Sequence, residues 1–122
     1  MSIDLKAIKI NLERKRRKEF ENNEKFRLSL LTKTKSVVSQ YLSQFPGSRA
    51  YLFGSILSPN AFSSRSDIDI AFENCPQNRL DLHSQLTNLL EWPVDIVILE
   101  KCNFKEHILK HGQPICTNPP DR

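Results

Sequence analysis

An α/β (α+β) domain, with a small mixed sheet flanked by helices behind a long N-terminal helical segment, is the fold class this sequence predicts. Two observations carry it. Residues 4–45 contain neither glycine nor proline and are dominated by long-chain and charged residues of good helix propensity. Beyond them, three short apolar runs at 49–53, 68–72 and 94–99 have strand periodicity or β-branched composition, and a helical pattern at 79–91 separates the last two.

The elements follow in order. Phe26, Leu30, Val37, Val38, Tyr41, Leu42 and Phe45 mostly recur at three-to-four spacing, an apolar stripe that must pack on something. Upstream the stripe thins to Ile3, Ile8, Leu12 and Phe20, so residues 1–25 are expected to project as an arm. Pro46-Gly47 ends the long helical segment, and Gly54 ends the strand that follows. Residues 55–66 contain five serines, Pro59 and Asn60, a loop with room for one helical turn around Ile56-Leu57. From Asp67 to Phe72 polar or small residues alternate with large apolar ones, so Ile68, Ile70 and Phe72 should point together into the core. Leu82, Leu86, Leu89 and Leu90 mark a helix that Trp92-Pro93 closes. Residues 94–99 read as a buried strand, Asn103 and Glu106 as a capping pair, and Gly112 as the end of a short helix. The expected organisation is a basic helical arm (1–25), one catalytic domain (26–116) and a frayed tail (117–122).

At 122 residues, with 39% hydrophobic and 26% charged residues, the chain fits one ordinary globular domain. It has no apolar stretch long enough to span a bilayer and no signal-peptide pattern at Met1-Ser2-Ile3-Asp4, so a cytoplasmic protein with no membrane partner is expected. Cys75, Cys102 and Cys116 lack metal-site spacing and read as free thiols. His107 and His111 share a helix face by their spacing, but lack the third nearby ligand a zinc site needs. The net charge of +4 is uneven, because Arg14, Lys15, Arg16, Arg17 and Lys18 are consecutive. Such a run suits a partner's acidic surface or nucleic-acid phosphates, or is a solvated helix face whose charge Glu13, Glu19, Glu21 and Glu24 partly offset.

The chemistry concentrates in three places. Asp67 and Asp69 sit two apart, so on a strand they project from one face, where paired carboxylates repel unless a cation lies between them. Asp95 stands among Val94, Ile96, Val97 and Ile98, where an unpartnered carboxylate would be expensive to desolvate. Gly54 allows close backbone approach to a phosphate, and Ser55 offers a hydroxyl and backbone N–H groups. Hard oxygen ligands without thiolate or imidazole suit Mg²⁺, which takes further ligands from water and substrate phosphates, so a nucleoside triphosphate is implied. Taken singly, Asp67 also fits a cap and Gly54-Ser55 an ordinary turn.

Leu52-Phe53-Gly54-Ser55, Ser66-Asp67-Ile68-Asp69-Ile70 and Val94-Asp95-Ile96-Val97 together resemble the motifs of the DNA-polymerase-β-like nucleotidyltransferase superfamily. Within it, the chain is most similar to the minimal nucleotidyltransferases that act as antitoxins of HEPN-domain toxins. The resemblance is good over residues 49–99 and looser over 26–45 and 106–115. It departs at Ile56, where such proteins often carry arginine, and in the eleven residues between Ser55 and Asp67. It implies a polymerase-β-like fold in which Gly54, Ser55 and Ser66 bind the nucleotide's phosphates. Asp67, Asp69 and Asp95 would hold two Mg²⁺ ions, with Asp95 at the attacking hydroxyl. The implied activity is transfer of AMP from ATP to a tyrosine of a HEPN-type RNase toxin, silencing it. The alternative is a non-catalytic antitoxin or nucleic-acid-binding module that neutralises its partner by contact.

Overall fold

A computed structural model of the chain describes residues 5–115. Its first element is a single helix, α1 (Leu5–Leu42), which runs unbroken through residues 5–25 of the expected arm. Residues 5–23 are exposed throughout. They hold seven Lys or Arg against three Glu, so the chain's whole excess of +4 lies in this stretch. Burial begins at Glu24 and Arg27 and continues through Leu30, Thr34, Val38, Tyr41 and Leu42.

Four strands form one sheet in the order β3-β2-β1-β4. β1 (Arg49–Phe53) pairs antiparallel with β2 (Ile68–Glu73), and β2 pairs parallel with β3 (Val94–Ile98). The parallel step requires a crossover, supplied by α2 (Arg79–Leu90). Asn78 caps α2 by accepting from the Asp81 N–H at 2.8 Å, and Glu91 ends it in the left-handed region at φ 53°. A 3₁₀ turn (Leu99–Lys101) and α3 (Lys105–His111) lead to β4 (Gln113–Ile115), antiparallel to β1.

The sheet divides the molecule into two unequal cores. On one face Ile68, Ile70, Phe72, Leu52, Val94 and Ile96 meet α1 and α2, where Leu42, Leu82, Leu86 and Leu90 are each at most 1% exposed. Burial of each such side chain contributes about 1.5–3 kcal/mol, so this layer supplies most of the stabilisation. On the other face a small cluster of Ala71, Leu99 and Ile108 seats α3. Beyond that cluster the sheet surface is open, and the polar residues of β2 and β3 emerge there.

Three expectations are corrected here. Asp95 is not buried: its side chain is 52% exposed, because β3 is an edge strand whose second face is left open around it. Asn103 does not cap α3; Phe104 holds that position with no side-chain hydrogen bond, and the last turn closes through Gly112 N–H to the Ile108 carbonyl. β4 was not expected at all, since three residues containing Pro114 become a strand only through their pairing with β1. Cys75 and Cys102 are free thiols, whereas Cys116 and the expected tail lie outside the described residues. No described helix is long and apolar enough to cross a membrane.

Candidate active site

The end of β1 and the beginnings of β2, β3 and β4 coincide along one edge of the sheet, since Phe53 faces Asp69, Asp69 faces Asp95, and Leu52 faces Gln113. In the parallel pair, Asp69 and Asp95 are register partners and leave the same face side by side. Asp67 lies two residues earlier, just outside β2 and exposed. Asp69 is half-buried, and its pKa is pushed up from 3.8 to about 6, first by burial and then by the charges of Asp95 and Asp67. The three carboxylates therefore share one field, with Asp69 at its centre.

Gly54 completes this edge. The chain leaves β1 at φ 79°, a conformation that glycine alone adopts easily, and enters the first 3₁₀ turn (Gly54–Leu57). A Cβ at Gly54 would land on Asp69 Oδ2 and lie 3.1 Å from its Cγ. The glycine is thus required twice, once for the turn and once because the Asp69 carboxylate occupies the space a side chain would need. Ser55 follows at the start of the 3₁₀ turn, where the first N–H groups have no partner within the helix and can donate to an anion.

Two clefts open near this edge; Asp95 lines one of them, and Asp67 and Asp69 line neither. One, of about 510 Å³, is lined by Gly54, Ser55 and Ser58 and also by His107, His111 and Gly112. The other, of about 450 Å³, holds Asp95, Arg79, Val97, Lys101 and Phe104. Arg79 Nη2 is 3.9 Å from Asp95 Oδ1, and its Nε donates to the Ile96 carbonyl at 3.0 Å, so a cation is held beside the carboxylate. The rings of Phe53 and Phe104, 6.2 Å apart and edge to face, stand between the clefts.

Not every expected residue reaches this edge. Ser66 is absorbed in its own turn, its Oγ accepting from the Ser63 N–H at 2.9 Å, and it lines neither cleft. Its carbonyl accepts the Trp92 indole N–H at 2.8 Å, and the Ile68 N–H donates to the Pro93 carbonyl at 3.0 Å; together these fix the approach of Asp67 into β2. The cations Arg14 to Lys18 lie on the exposed part of α1 and belong to no described cleft.

Arg27 is the supporting residue that sequence reading missed. Buried under the first 3₁₀ turn, its Nη1 donates to the Ile56 carbonyl at 2.9 Å while its other nitrogens hold Glu24, the closest contact being 2.8 Å. Glu24 in turn accepts from the Asn60 N–H, and the hydrogen bond from Arg27 holds its carboxyl below the usual range. A guanidinium thus reaches the turn from α1, not from position 56. Nothing local could have announced a partner 29 residues away. Arg27→Met would leave a buried carbonyl without its donor and release the turn, so we expect a loss of about 2 kcal/mol, seen as a lower urea midpoint at unchanged m value.

A family model described as polymerase beta nucleotidyltransferase matches residues 36–121. The chain belongs to this family. No curated protein and no solved structure matches the chain. Membership in the polymerase beta nucleotidyltransferase family makes nucleotidyl transfer the activity class of the domain, and the matched region contains Gly54, Ser55, Asp67, Asp69 and Asp95.

The donor set fits the divalent cations such chemistry uses. All three side chains offer hard oxygens, and a cation between them would offset both the burial and the repulsion that raise Asp69. Among the described residues no three His, Cys, Asp or Glu side chains already converge on a metal position. Mg²⁺ does not require such a cage, because one or two carboxylates suffice when water and phosphate oxygens complete its shell.

Proposed function

We propose that this protein is a Mg²⁺-dependent nucleotidyltransferase that transfers AMP from ATP to a tyrosine of a partner protein, an RNase toxin of the HEPN type, and thereby acts as its antitoxin in the cytoplasm. The observation that carries the reading is the juxtaposition of Asp69 with Asp95 across the parallel pair, with Gly54 pressed against Asp69. Asp67 and Asp69 would hold the cations with the triphosphate, and Asp95 would stand at the acceptor hydroxyl. The bound Mg²⁺ supplies charge neutralisation for the phosphoryl oxygens.

Two separate clefts leave room for a triphosphate and an acceptor. Triphosphate bound at Gly54 and Ser55 would lie in the one, and an acceptor would enter the other, which Asp95 lines. The acceptor oxygen bonds to the α-phosphorus as the bond to the bridging oxygen breaks. Pyrophosphate departs with the bonding electrons, and the hydroxyl proton passes to the Asp95 carboxylate. The apolar floor of Val97 and Phe104 suits an aromatic ring, which favours tyrosine. The exposed basic part of α1 gives a partner protein a surface to hold while its hydroxyl enters.

The test is transfer of α-labelled ATP to the protein encoded by the neighbouring gene, with Mg²⁺, comparing the native chain with Asp95→Asn. Label on a partner tyrosine is expected with the native chain, and a fall of at least about 100-fold with the variant. A partner silenced equally by both chains, with no label on it, would replace this reading with inhibition by contact.

A further inference from the structure

The cleft in front of Gly54 and Ser55 has a second wall, formed by α3, and the residues on it are two imidazoles. We propose that His107 and His111 bind the β- and γ-phosphates of the nucleoside triphosphate, gripping the future pyrophosphate from the side opposite Ser55. The assignment rests on the nucleotidyl-transfer reading above and adds a binding site to it.

Position is the first argument. His107 and His111 lie one helical turn apart, and their rings are 4.7 Å apart between centroids, so they form one paired surface. That surface shares a cleft with Gly54, Ser55 and Ser58. The sheet fixes this placement. Gln113 pairs with Leu52, which brings the end of α3 beside the end of β1, where Phe53 and Gly54 begin the phosphate turn. Gly112 permits the approach, since a Cβ there would stand 3.0 Å from the Leu52 carbonyl oxygen and 2.5 Å from that of Ile108. Ile108, wholly buried against Ala71 and Leu99, anchors the helix from its other face.

Chemistry is the second argument. Among the described residues, the lining of this cleft contains no carboxylate, whereas the cleft that Phe104 lines contains Asp95. Ring N–H groups on one wall, with the Ser55 hydroxyl and backbone N–H groups on the other, make a set of donors facing an anion. A transition metal would need a third ligand, and among the described residues no such trio exists. His83, exposed on α2, lies outside both clefts and serves as an internal reference.

The test uses the full chain, with its three imidazoles followed by ¹H–¹³C correlation NMR. It is titrated with tripolyphosphate, pyrophosphate, ATP and AMP, each in the presence of Mg²⁺. We expect tripolyphosphate, pyrophosphate and ATP to move the His107 and His111 signals while AMP leaves them, and His83 to stay in place throughout. Local signals are needed because polyphosphate also meets the basic residues of α1. The double variant His107→Ala/His111→Ala removes two exposed side chains, and the unchanged His83 signal confirms its fold. It should weaken ATP binding, followed by competition with a fluorescent ATP analogue, by roughly tenfold or more while AMP affinity holds. Histidine signals indifferent to tripolyphosphate, or a double variant that binds ATP as the native chain does, would overturn the assignment and leave nucleotidyl transfer standing. Histidine signals that answer to tripolyphosphate in a chain that labels no partner would uphold the phosphate site and count against transfer to protein.

Discussion

Asp69→Asn should abolish nucleotide transfer and at the same time raise the melting temperature of the metal-free protein at pH 8. The two effects have one cause. Asp69 is half-buried beside two other carboxylates, and its pKa of about 6 lies above the ordinary 3.8. A group whose folded-state pKa is raised binds its proton more tightly in the folded state. Its stabilising contribution is therefore complete below about pH 4 and lost as the pH rises through about 6. Above that window the ionised carboxylate opposes folding, and asparagine removes the opposition. A two-unit shift corresponds at most to about 3 kcal/mol, and screening at a half-exposed site reduces this to about 1 kcal/mol, or some 3–5 °C. Below about pH 4 the native chain and the variant should melt together, since both are then neutral at this position.

Mg²⁺ and ATP should reverse the order. The native protein gains stability in proportion to the logarithm of ligand over Kd, and the variant, lacking the central ligand, gains little. Transfer itself should fall by roughly 1,000-fold or more if, as proposed, Asp69 holds the cations that supply several kcal/mol of charge stabilisation. The cation competes with the proton on Asp69, so metal affinity in the native chain should climb between about pH 5 and 7 and then level off. Melting curves with and without Mg²⁺ and ATP at pH 4 and pH 8 read all of this. A variant no more stable than the native chain at pH 8 without metal would show that burial and the neighbouring charges do not oppose ionisation of Asp69.

Much of this arrangement was legible in the sequence because it is local. The alternation of Asp67-Ile68-Asp69-Ile70 with Phe72 placed the carboxylates and the core residues of β2 on opposite faces, and Ile68, Ile70 and Phe72 are indeed buried. Gly54 at the end of an apolar run marked a sharp turn, and the turn is there. What could not be read depends on neighbours distant in sequence. The β-branched run around Asp95 looks the same whether one face or both are covered, and only the sheet order reveals β3 as an edge with Asp95 in the open. β4 has no pattern of its own and exists through its register with β1. Arg27 resembled any other charged residue of a basic helix until the first 3₁₀ turn came to rest on it. The phosphate-side histidines were visible as a pair sharing a helix face, but the surface they face is set by Gly112 and β4.

Gly54→Ala should cut transfer by about 100-fold or more, and Gly47→Ala should not. Both glycines have positive φ, 79° at Gly54 and 89° at Gly47, so alanine strains the backbone at either position by about 1 kcal/mol. Their surroundings differ. At Gly47 the nearest atom to a new Cβ is Asn74 Nδ2 at 3.5 Å, an ordinary contact. At Gly54 the new carbon falls on Asp69 Oδ2, with Asp69 Cγ at 3.1 Å and its Cβ at 3.4 Å. Rotating the carboxylate aside drives it towards Asp95 or away from the cation position, and moving the turn instead withdraws the Ser55 donors from the phosphates. Either adjustment misplaces reacting groups by about 1 Å, a displacement worth 100-fold or more in rate. The melting temperature should fall further for Gly54→Ala, which adds the overlap with Asp69 to the backbone strain, with transfer lost at Gly54 and kept within about twofold at Gly47. Equal loss of activity in both would make backbone strain the cause; activity surviving in Gly54→Ala would mean that Asp69 is free to move without consequence for the chemistry.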